Sequence, residues 1–399
     1  MNRFVQTIKA IRDVLLIVLL FVSAISYHPT IINMSRIAGY ESGTIMSRYI
    51  ILLFGAVLFL SFNLRLVLKS KLIRTYLLWL FIICVVALIV QAFYDNNDMI
   101  HDLRSFIIVL GSIIIGYDLK LKRNGFALFV LVFCLTSLFS GIMQVLVNVG
   151  GFRITDQYLT DAKNSLGAML ATACFSLIYL YRSSKKSLFK VALFLGWGVT
   201  LIVIVTIRAR MAIVALTLVG MYYYYLIKRN KNLLIAYLVI FVVVFFGLLF
   251  MPSSIVDYLD ASFTAGTQGD DFTSGRLSTY LEALSFLATS PLLGNVMKIN
   301  QIGWVHNYLL WNIYRFGLLF SFPIIVLFFL IFFNSLKQSL KCSPDGRECF
   351  AYVCLLIPFL ISLAEPTFPF GPGTVTLFNF ILLGMAEQKK LKNESISGL

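Results

Sequence analysis

Apolar runs of about twenty residues recur along almost the whole chain and are separated by short polar segments. A run of this length can cross the ~30 Å hydrocarbon core of a bilayer as an α-helix. Only helices and closed barrels satisfy backbone polar groups in lipid, and these runs lack the alternation of barrel strands. The pattern therefore predicts an all-α polytopic membrane protein with about twelve transmembrane helices. The predicted spans lie near residues 14–33, 48–66, 76–94, 103–119, 125–149, 162–181, 188–206, 210–227, 232–251, 316–333, 350–364 and 373–386.

The longest polar interruption, residues 252–305, is predicted to be an extended outer loop within a single integral membrane domain that covers residues 1–399. Loops of this length are usually functional or disordered. The first part of this one is polar and rich in glycine. A helix is predicted to begin near Arg276, with Ser274 or the preceding threonine as its cap, and to end at Pro291.

This predicted helix is amphipathic, because apolar residues recur at helical spacing on one face and polar residues occupy the other. The apolar stripe consists of Leu277, Tyr280, Leu281, Leu284, Leu287 and Ala288. The polar face consists of Ser278, Glu282, Ser285 and Thr289. We expect the helix to lie along the outer membrane surface or to cap the helical bundle.

The distribution of basic residues predicts how the chain is oriented in the membrane. Hydrophobic residues make up 59% of the chain and charged residues 13%, which excludes a soluble globular protein. The formal net charge is +15, but 23 of the 33 Lys and Arg fall on one side of the predicted membrane, in clusters at every second loop. This is the positive-inside pattern, and it places both termini in the cytoplasm. The net positive charge is therefore explained by the membrane topology, and no nucleic-acid partner is expected.

Ten basic residues fall on the outer side, where the insertion rule does not require them. They are Arg36, Arg48, Arg104, Arg153, Lys163, Arg208, Arg210, Arg276, Lys298 and Arg315. Arg315 is interpreted as the outer end of the span that starts near Phe316. The ten residues form the short list of candidate functional residues.

At two places in this set, the local sequence context also suggests that an anion binds. Arg276 stands at a predicted helix start, where the positive end of the helix dipole disfavours a cation unless an anion docks there. Arg208 and Arg210 stand together at an outer membrane edge, where charge is expensive unless water or an anion receives it. The alternatives are a solvated surface arginine at position 276 and arginines that snorkel to lipid headgroups.

His306 is the histidine with the most informative surroundings. It is followed by Asn307 and flanked by Trp304, Tyr308 and Trp311, aromatic residues typical of a membrane interface. Histidine side chains titrate near neutral pH, so an imidazole at this position could serve as a general base. The alternative is an interfacial residue that hydrogen-bonds a headgroup.

The sequence predicts neither a metal nor another cofactor. No cluster of His, Cys and Asp has the spacing of metal ligands, and neither a P-loop nor a dinucleotide-binding glycine pattern is present. ATP-driven transport within this chain is therefore not expected.

Three segments, in this order, resemble the O-antigen polymerase and O-antigen ligase superfamily of bacterial membrane glycosyltransferases, which would imply a GT-C-like fold. They are Ala209–Ala212, which reads ARMA; Ser274–Gly294, which begins Ser-Gly-Arg; and His306-Asn307 with Gly317 downstream. KNSLGAML at Lys163–Leu170 looks like a degraded form of the Pro-Asn-Gly segment of that family, with lysine in place of proline. The resemblance covers about residues 150–320.

The resemblance implies substrates carried on undecaprenyl diphosphate, with Arg210 and Arg276 on the diphosphate and His306 on the acceptor hydroxyl. The further expected substrate-binding residues are Arg208, Asn307, Arg153, Lys163, Asn164 and Glu282. The resemblance also implies the bacterial inner membrane, a periplasmic active site, and a chain-length regulator and a flippase as partners. The reaction would be a metal-independent inverting glycosyl transfer, because a lipid diphosphate is already a good leaving group.

Three functions remain open at this point. The first is a polymerase of lipid-linked repeat units for O-antigen, capsule or exopolysaccharide. The second is a ligase that transfers finished glycan to lipid A core. The third is a flippase of lipid-linked oligosaccharides, which would not need the long outer loop with its helix. The short spacer from Pro291 to His306 favours the polymerase.

Overall fold

The computed structural model describes residues 2–27, 44–62, 69–149, 163–207, 209–229, 276–299, 302–303, 305–371 and 373–396. Regular structure in these ranges is helical throughout. The helices are α1 (Asn2–Ile25), α2 (Thr44–Ser61), α3 (Lys71–Tyr94), α4 (Asp98–Asp118), α5 (Arg123–Gln144, continued by a π-helical turn, Val145–Val149), α6 (Lys163–Ser183), α7 (Ser187–Thr206), α8 (Arg210–Lys228), α9 (Arg276–Thr289), α10 (Tyr308–Lys341), α11 (Arg347–Ile361) and α12 (Thr374–Ile396).

Seven of the described helices, α3 to α8 and α10, are long and apolar enough to cross a membrane. The prediction of an all-helical, multi-pass membrane protein is therefore confirmed. The number of twelve spans stays a prediction, because several described helices do not meet the length or hydropathy of a span. The predicted span 232–251 lies outside the described residues.

Loops that the sequence places on one side of the membrane meet at one end of the bundle, which we call the basic end. Arg182 in α6 pairs with Asp345 at 2.7 Å, Arg347 donates to the carbonyl of Leu121 at 2.9 Å, and Arg229 donates to the carbonyl of Leu340 at 3.0 Å. A further ion pair near this end joins the buried side chain of Arg12 to Asp118. These contacts tie the loops before α5, after α6, after α8 and before α11 together.

The opposite end is formed by the other termini of the same helices, and we call it the His306 end. Lys298 pairs there with Asp98, the first residue of α4, at 3.2 Å. The amide of Tyr308, the first residue of α10, donates to the carbonyl of Ser362 after α11 at 2.9 Å. Helix α8 joins the basic end through its last turn, so Arg210 at its first turn lies at the His306 end.

Small residues bring α4 and α12 into direct backbone contact. A Cβ atom at Gly116 would overlap the carbonyl of Ile381, and one at Gly384 would overlap the carbonyl of Ile113. Close approach of this kind is a common way to pack helices in lipid. It fixes the segment before α12 over the start of α4, where Phe370 packs against Phe106 with ring centroids 5.4 Å apart.

Helix α10 begins at Tyr308, about two turns before the predicted start of its span near Phe316. Its 34 residues would extend for about 51 Å if straight, which exceeds the hydrocarbon core of about 30 Å. The backbone is interrupted at Gly317, where φ is 65° and ψ is 175°. The predicted start therefore corresponds to the interruption, and the first turns of α10 form a separate piece that carries the candidate site.

Candidate active site at the His306 end

Asn307 fixes the start of α10 and the position of the neighbouring histidine. Its side-chain oxygen accepts a hydrogen bond from the amide of Leu310 at 2.9 Å, which caps the helix. Its side-chain nitrogen donates to the carbonyl of Leu363 at 3.0 Å. Both the oxygen and the nitrogen of the Asn307 side chain are thus hydrogen-bonded to protein backbone. This favours a role in positioning His306 over the predicted contact with substrate.

His306 lies between two elements that are distant in sequence. Its Nδ1 is 4.0 Å from Oε2 of Glu365, an ion-pair distance that is too long for a hydrogen bond. The Glu365 side chain is 8% exposed and the His306 side chain 35% exposed. The backbone carbonyl of His306 accepts a hydrogen bond from the hydroxyl of Tyr280 in α9 at 2.5 Å. The imidazole is thus partly open, with a buried carboxylate beside it.

Helix α9 rests on the first turns of α10 through a small apolar cluster of Ala283, Val305 and Tyr314. Phe286 packs edge-on against Tyr314, with ring centroids 5.6 Å apart. The predicted helix bounds are confirmed, since α9 begins at Arg276 and ends at Thr289.

The predicted apolar stripe of α9 is only partly the buried face. Leu281 and Leu284 are 59% and 52% exposed, whereas Ala283 is fully buried. Ala288 is exposed as well, while Tyr280 and Leu287 do lie on the covered side. Hydropathy cannot separate a face that touches protein from one that is exposed, so the sequence did not specify which residues of the stripe are buried.

Two glycines join the segment after α9 to the interruption in α10. Gly294 has a φ of 57° and Gly317 a φ of 65°, and a Cβ atom at either position would overlap the backbone of the other segment. Three hydrogen bonds cross the contact. The donors are the amides of Asn295, Leu318 and Leu319, and the acceptors are the carbonyls of Tyr314, Pro291 and Leu292, at 2.7, 3.0 and 3.1 Å.

Three predicted cations each occupy the first position of a helix at the His306 end: Lys163 in α6, Arg210 in α8 and Arg276 in α9. The positive end of a helix dipole and its unpaired N–H groups favour an anion there. Arg210 is half-buried. Arg276 lies one helical turn before Tyr280, which contacts His306.

The two segments around Lys163 and Arg210 also contact each other. A Cβ atom at Gly167 would overlap the Cβ of Ala209, so α6 and the start of α8 touch at that point. The resemblance had paired these segments only by their order in sequence. Their contact places the starts of two helices, each opened by a cation, side by side.

The remaining predicted residues divide into two groups. Asn164 is half-buried at the start of α6, and Glu282 is exposed on the polar face of α9. Arg153 and Arg208 lie outside the described residues, as do the predicted cap at Ser274 and the side chains of Lys163 and Arg276.

A cavity of about 560 Å³ opens beside this site, between the start of α4, the first turns of α10 and the segment before α12. Arg315 lies in its wall, where it pairs with Asp102 at 2.8 Å and with Asp98 at 3.4 Å. The guanidinium also stacks on Trp311, 5.3 Å from the ring centroid. Arg315 is therefore held in the cavity wall by two carboxylates and an aromatic ring. The interpretation that it only marks the outer end of a span does not account for these contacts.

Sequence reasoning missed Glu365, Asp98 and Asp102. A signal existed for the pair on α4, because residues four apart share one helix face and the two carboxylates follow that spacing. Glu365 stands alone in an apolar, proline-rich stretch at the end of a predicted span. A lone carboxylate in such a place is a candidate for function, but its partner is visible only in three dimensions.

The arrangement suits proton transfer beside a bound anion. An imidazole near a buried carboxylate can accept a proton and have its positive charge stabilised, as in other histidine–carboxylate pairs. Within the described part of the chain, no group of three or more His, Cys, Asp or Glu side chains is placed to hold a metal ion.

The chain matches no protein-family model, and no match was found among curated proteins.

Proposed function

We propose that this protein is a membrane glycosyltransferase that polymerises oligosaccharide repeat units carried on undecaprenyl diphosphate into O-antigen, capsular polysaccharide or exopolysaccharide. One observation carries the proposal. The imidazole of His306 lies 4.0 Å from Glu365, and the backbone carbonyl of His306 accepts a hydrogen bond from Tyr280 of α9, the helix that begins at Arg276. Tyr280 lies about one helical turn after Arg276, so the proposed base is held near the helix start that carries the proposed cation.

The proposed reaction is a single displacement at the anomeric carbon of the donor sugar. The oxygen of the acceptor hydroxyl forms the new bond to that carbon while its proton passes to His306. The bond from the anomeric carbon to the diphosphate oxygen breaks, and the electron pair leaves with undecaprenyl diphosphate. Configuration inverts, because the acceptor attacks from the face opposite the leaving group.

Different side chains stabilise the two charges that develop in the proposed reaction. The carboxylate of Glu365 stabilises the imidazolium that forms on His306. Arg276 and Arg210 stabilise the charge that builds on the departing diphosphate, a role in which preorganised guanidinium groups are effective. A lipid diphosphate needs no protonation to leave, so the paired carboxylates of glycosidases are unnecessary.

The proposed location is the bacterial inner membrane, with the site facing the periplasm. The clustered cations at the basic end support this orientation, because basic loops remain in the cytoplasm. A flippase would deliver the lipid-linked units to that face, and a chain-length regulator would act on the product.

The test is complementation in a bacterium from which the gene has been deleted, with the surface glycan separated by gel electrophoresis. His306→Ala and Arg276→Ala are each expected to abolish chain growth while the protein remains in the membrane. Loss of a general base reduces rates by about 10²–10⁴-fold, which would remove the ladder of lengths. The matched controls are His101→Ala and Arg104→Ala, an exposed histidine and an exposed arginine at the same end of the bundle.

Each pattern on the gel has a distinct meaning. Single repeat units on the core in the deletion strain support a polymerase. Lipid-linked chains that accumulate beside a bare core indicate a ligase instead. A normal ladder from both site variants would refute the assignment of His306 and Arg276.

A further inference from the structure

We infer that the cavity beside His306 binds the saccharide of the acceptor, and that the polar and aromatic side chains of α4 and α10 recognise its hydroxyl groups. This inference rests on the proposed function and assigns one part of the substrate to one place. The cavity volume of about 560 Å³ lies within the range of about 300–1,000 Å³ usual for small-molecule sites.

Charge excludes the diphosphate as the natural occupant of this cavity. Its wall contains two carboxylates, Asp98 and Asp102, and two cations, Lys298 and Arg315. Each cation is paired with a carboxylate, at 3.2 Å for Lys298 and 2.8 Å for Arg315. The formal charges cancel, so the wall offers no net attraction to an anion.

The same wall suits a ligand with many hydroxyl groups. A hydroxyl both donates and accepts hydrogen bonds, and carboxylates, amides and cations together provide partners for both roles. Asn96, Asn295 and Asn312 add amide groups to the four charged side chains, and each amide also donates a hydrogen bond within the protein. A bound saccharide can therefore find donors and acceptors on several sides at once.

Aromatic rings supply the complementary apolar surface. Trp311, Tyr308 and Phe370 line the cavity. The C–H faces of a sugar ring can pack against such rings by dispersion, while its hydroxyl groups point at the polar wall. Mixed linings of this kind, largely apolar with a few placed polar groups, are typical of ligand sites.

The position of the cavity decides which saccharide it holds. Tyr308 lies two residues after His306, and Pro366 directly follows Glu365; both are wall residues. A saccharide in the cavity thus lies beside the segments that carry the proposed base and its carboxylate. The group that gives up a proton to that base belongs to the acceptor, so the acceptor saccharide is the assigned ligand.

Ser105 allows the cavity to be filled without removal of a wall charge. It is a half-buried residue of α4 that lines the cavity. The purified full-length protein is titrated with the free repeat-unit oligosaccharide cut from the surface polysaccharide of the host, and tryptophan fluorescence reports binding because Trp311 lines the site. Ser105→Phe is expected to weaken binding at least tenfold. Ile107→Phe, on an exposed position of the same helix outside the cavity, is expected to bind as the wild type does.

A second variant keeps the test independent of the folding of Ser105→Phe. Ser105→Cys is nearly isosteric, and its reaction with a hydrophilic maleimide is measured against the wild-type background of native cysteines. The oligosaccharide is expected to slow labelling, and inorganic pyrophosphate is expected to leave it unchanged. Protection by pyrophosphate alone, or wild-type saccharide affinity in a folded Ser105→Phe protein, would overturn the inference.

The two proposals fail in different ways. If the deletion strain loses chain growth but Ser105→Phe binds saccharide and polymerises normally, the cavity assignment is wrong and the proposed function stands. If the deletion strain keeps a normal ladder while saccharide protects Cys at position 105, the cavity is a saccharide site and the proposed function is wrong.

Discussion

Gly317→Ala is expected to separate the segment after α9 from the interruption in α10. The residue has a φ of 65° with a ψ of 175°, a combination that is essentially restricted to glycine. The new Cβ atom would also overlap the carbonyl of Leu292 in the docked segment. Since that overlap is with backbone, a change of side-chain rotamer cannot relieve it.

The magnitude is bounded in two ways. The strained backbone conformation costs about 1–3 kcal/mol for a residue with a Cβ atom. If the segments separate to relieve that strain, they lose the three hydrogen bonds donated by Asn295, Leu318 and Leu319, each worth about 1 kcal/mol. The local docking free energy is therefore expected to fall by about 1–3 kcal/mol, which corresponds to about a 5- to 150-fold change in the opening equilibrium.

Hydrogen exchange measured by mass spectrometry tests this directly, because it reports local opening. Peptides that contain residues 290–297 and 317–320 should lose protection in Gly317→Ala, and chain growth should fall because α9 is no longer held against His306. Gly220→Ala is the matched control, since a Cβ atom at that helical glycine meets nothing within 4 Å. Wild-type exchange in both peptides of Gly317→Ala would refute the reasoning.

Three further predictions concern the same end of the bundle. Glu365→Gln keeps the shape of the side chain but removes the charge near His306, so the rate of polymer growth should fall by at least about tenfold while membrane levels stay unchanged; an unaltered rate would remove Glu365 from the mechanism. Asn307→Ala removes a helix cap and the bond to the carbonyl of Leu363, so the protein should lose about 1–3 kcal/mol of stability in detergent, whereas Asn307→Asp, which retains the cap, should lose less. Gly167→Val should move α6 away from the start of α8 and raise the KM for lipid-linked substrate more than it lowers kcat. Gly198→Val, where a Cβ atom meets nothing within 4 Å, is its control, and equal kinetics for the two would show that this contact does not position Arg210.

The helices themselves could be predicted from the sequence alone. In lipid, an apolar run of sufficient length has almost no other way to satisfy its backbone, so hydropathy translates directly into helix. Local signals were also sufficient for α9, because Pro291 stops a helix: the predicted bounds, Arg276 and Pro291, agree within two residues with the observed helix Arg276–Thr289. The start of α10 was missed although Asn307 is a favoured capping residue; only its second hydrogen bond, to the loop after α11, required the tertiary structure.

The candidate site could be predicted only in part. His306 and Arg276 stood out because each is a polar residue with a local signal at a membrane edge. Glu365 did not, because its relevance is a single contact with a residue on another helix. The same holds for Asp98 and Asp102, which gain meaning when Arg315 and Lys298 fold against them.

Hydropathy and charge were enough to predict that this chain forms apolar helices, where its cations cluster, and which polar residues lie at the membrane edge without being required for insertion. The packing of the helices was needed to show that Leu281 and Leu284 remain exposed while Ala283 is buried, and that Glu365 lies beside His306. The physical reason is that hydropathy measures a preference for leaving water, and both lipid and protein satisfy that preference. Which of the two surrounds a given side chain depends on the shape of the neighbouring helices, and a contact between distant carboxylate and imidazole exists only once those helices have packed.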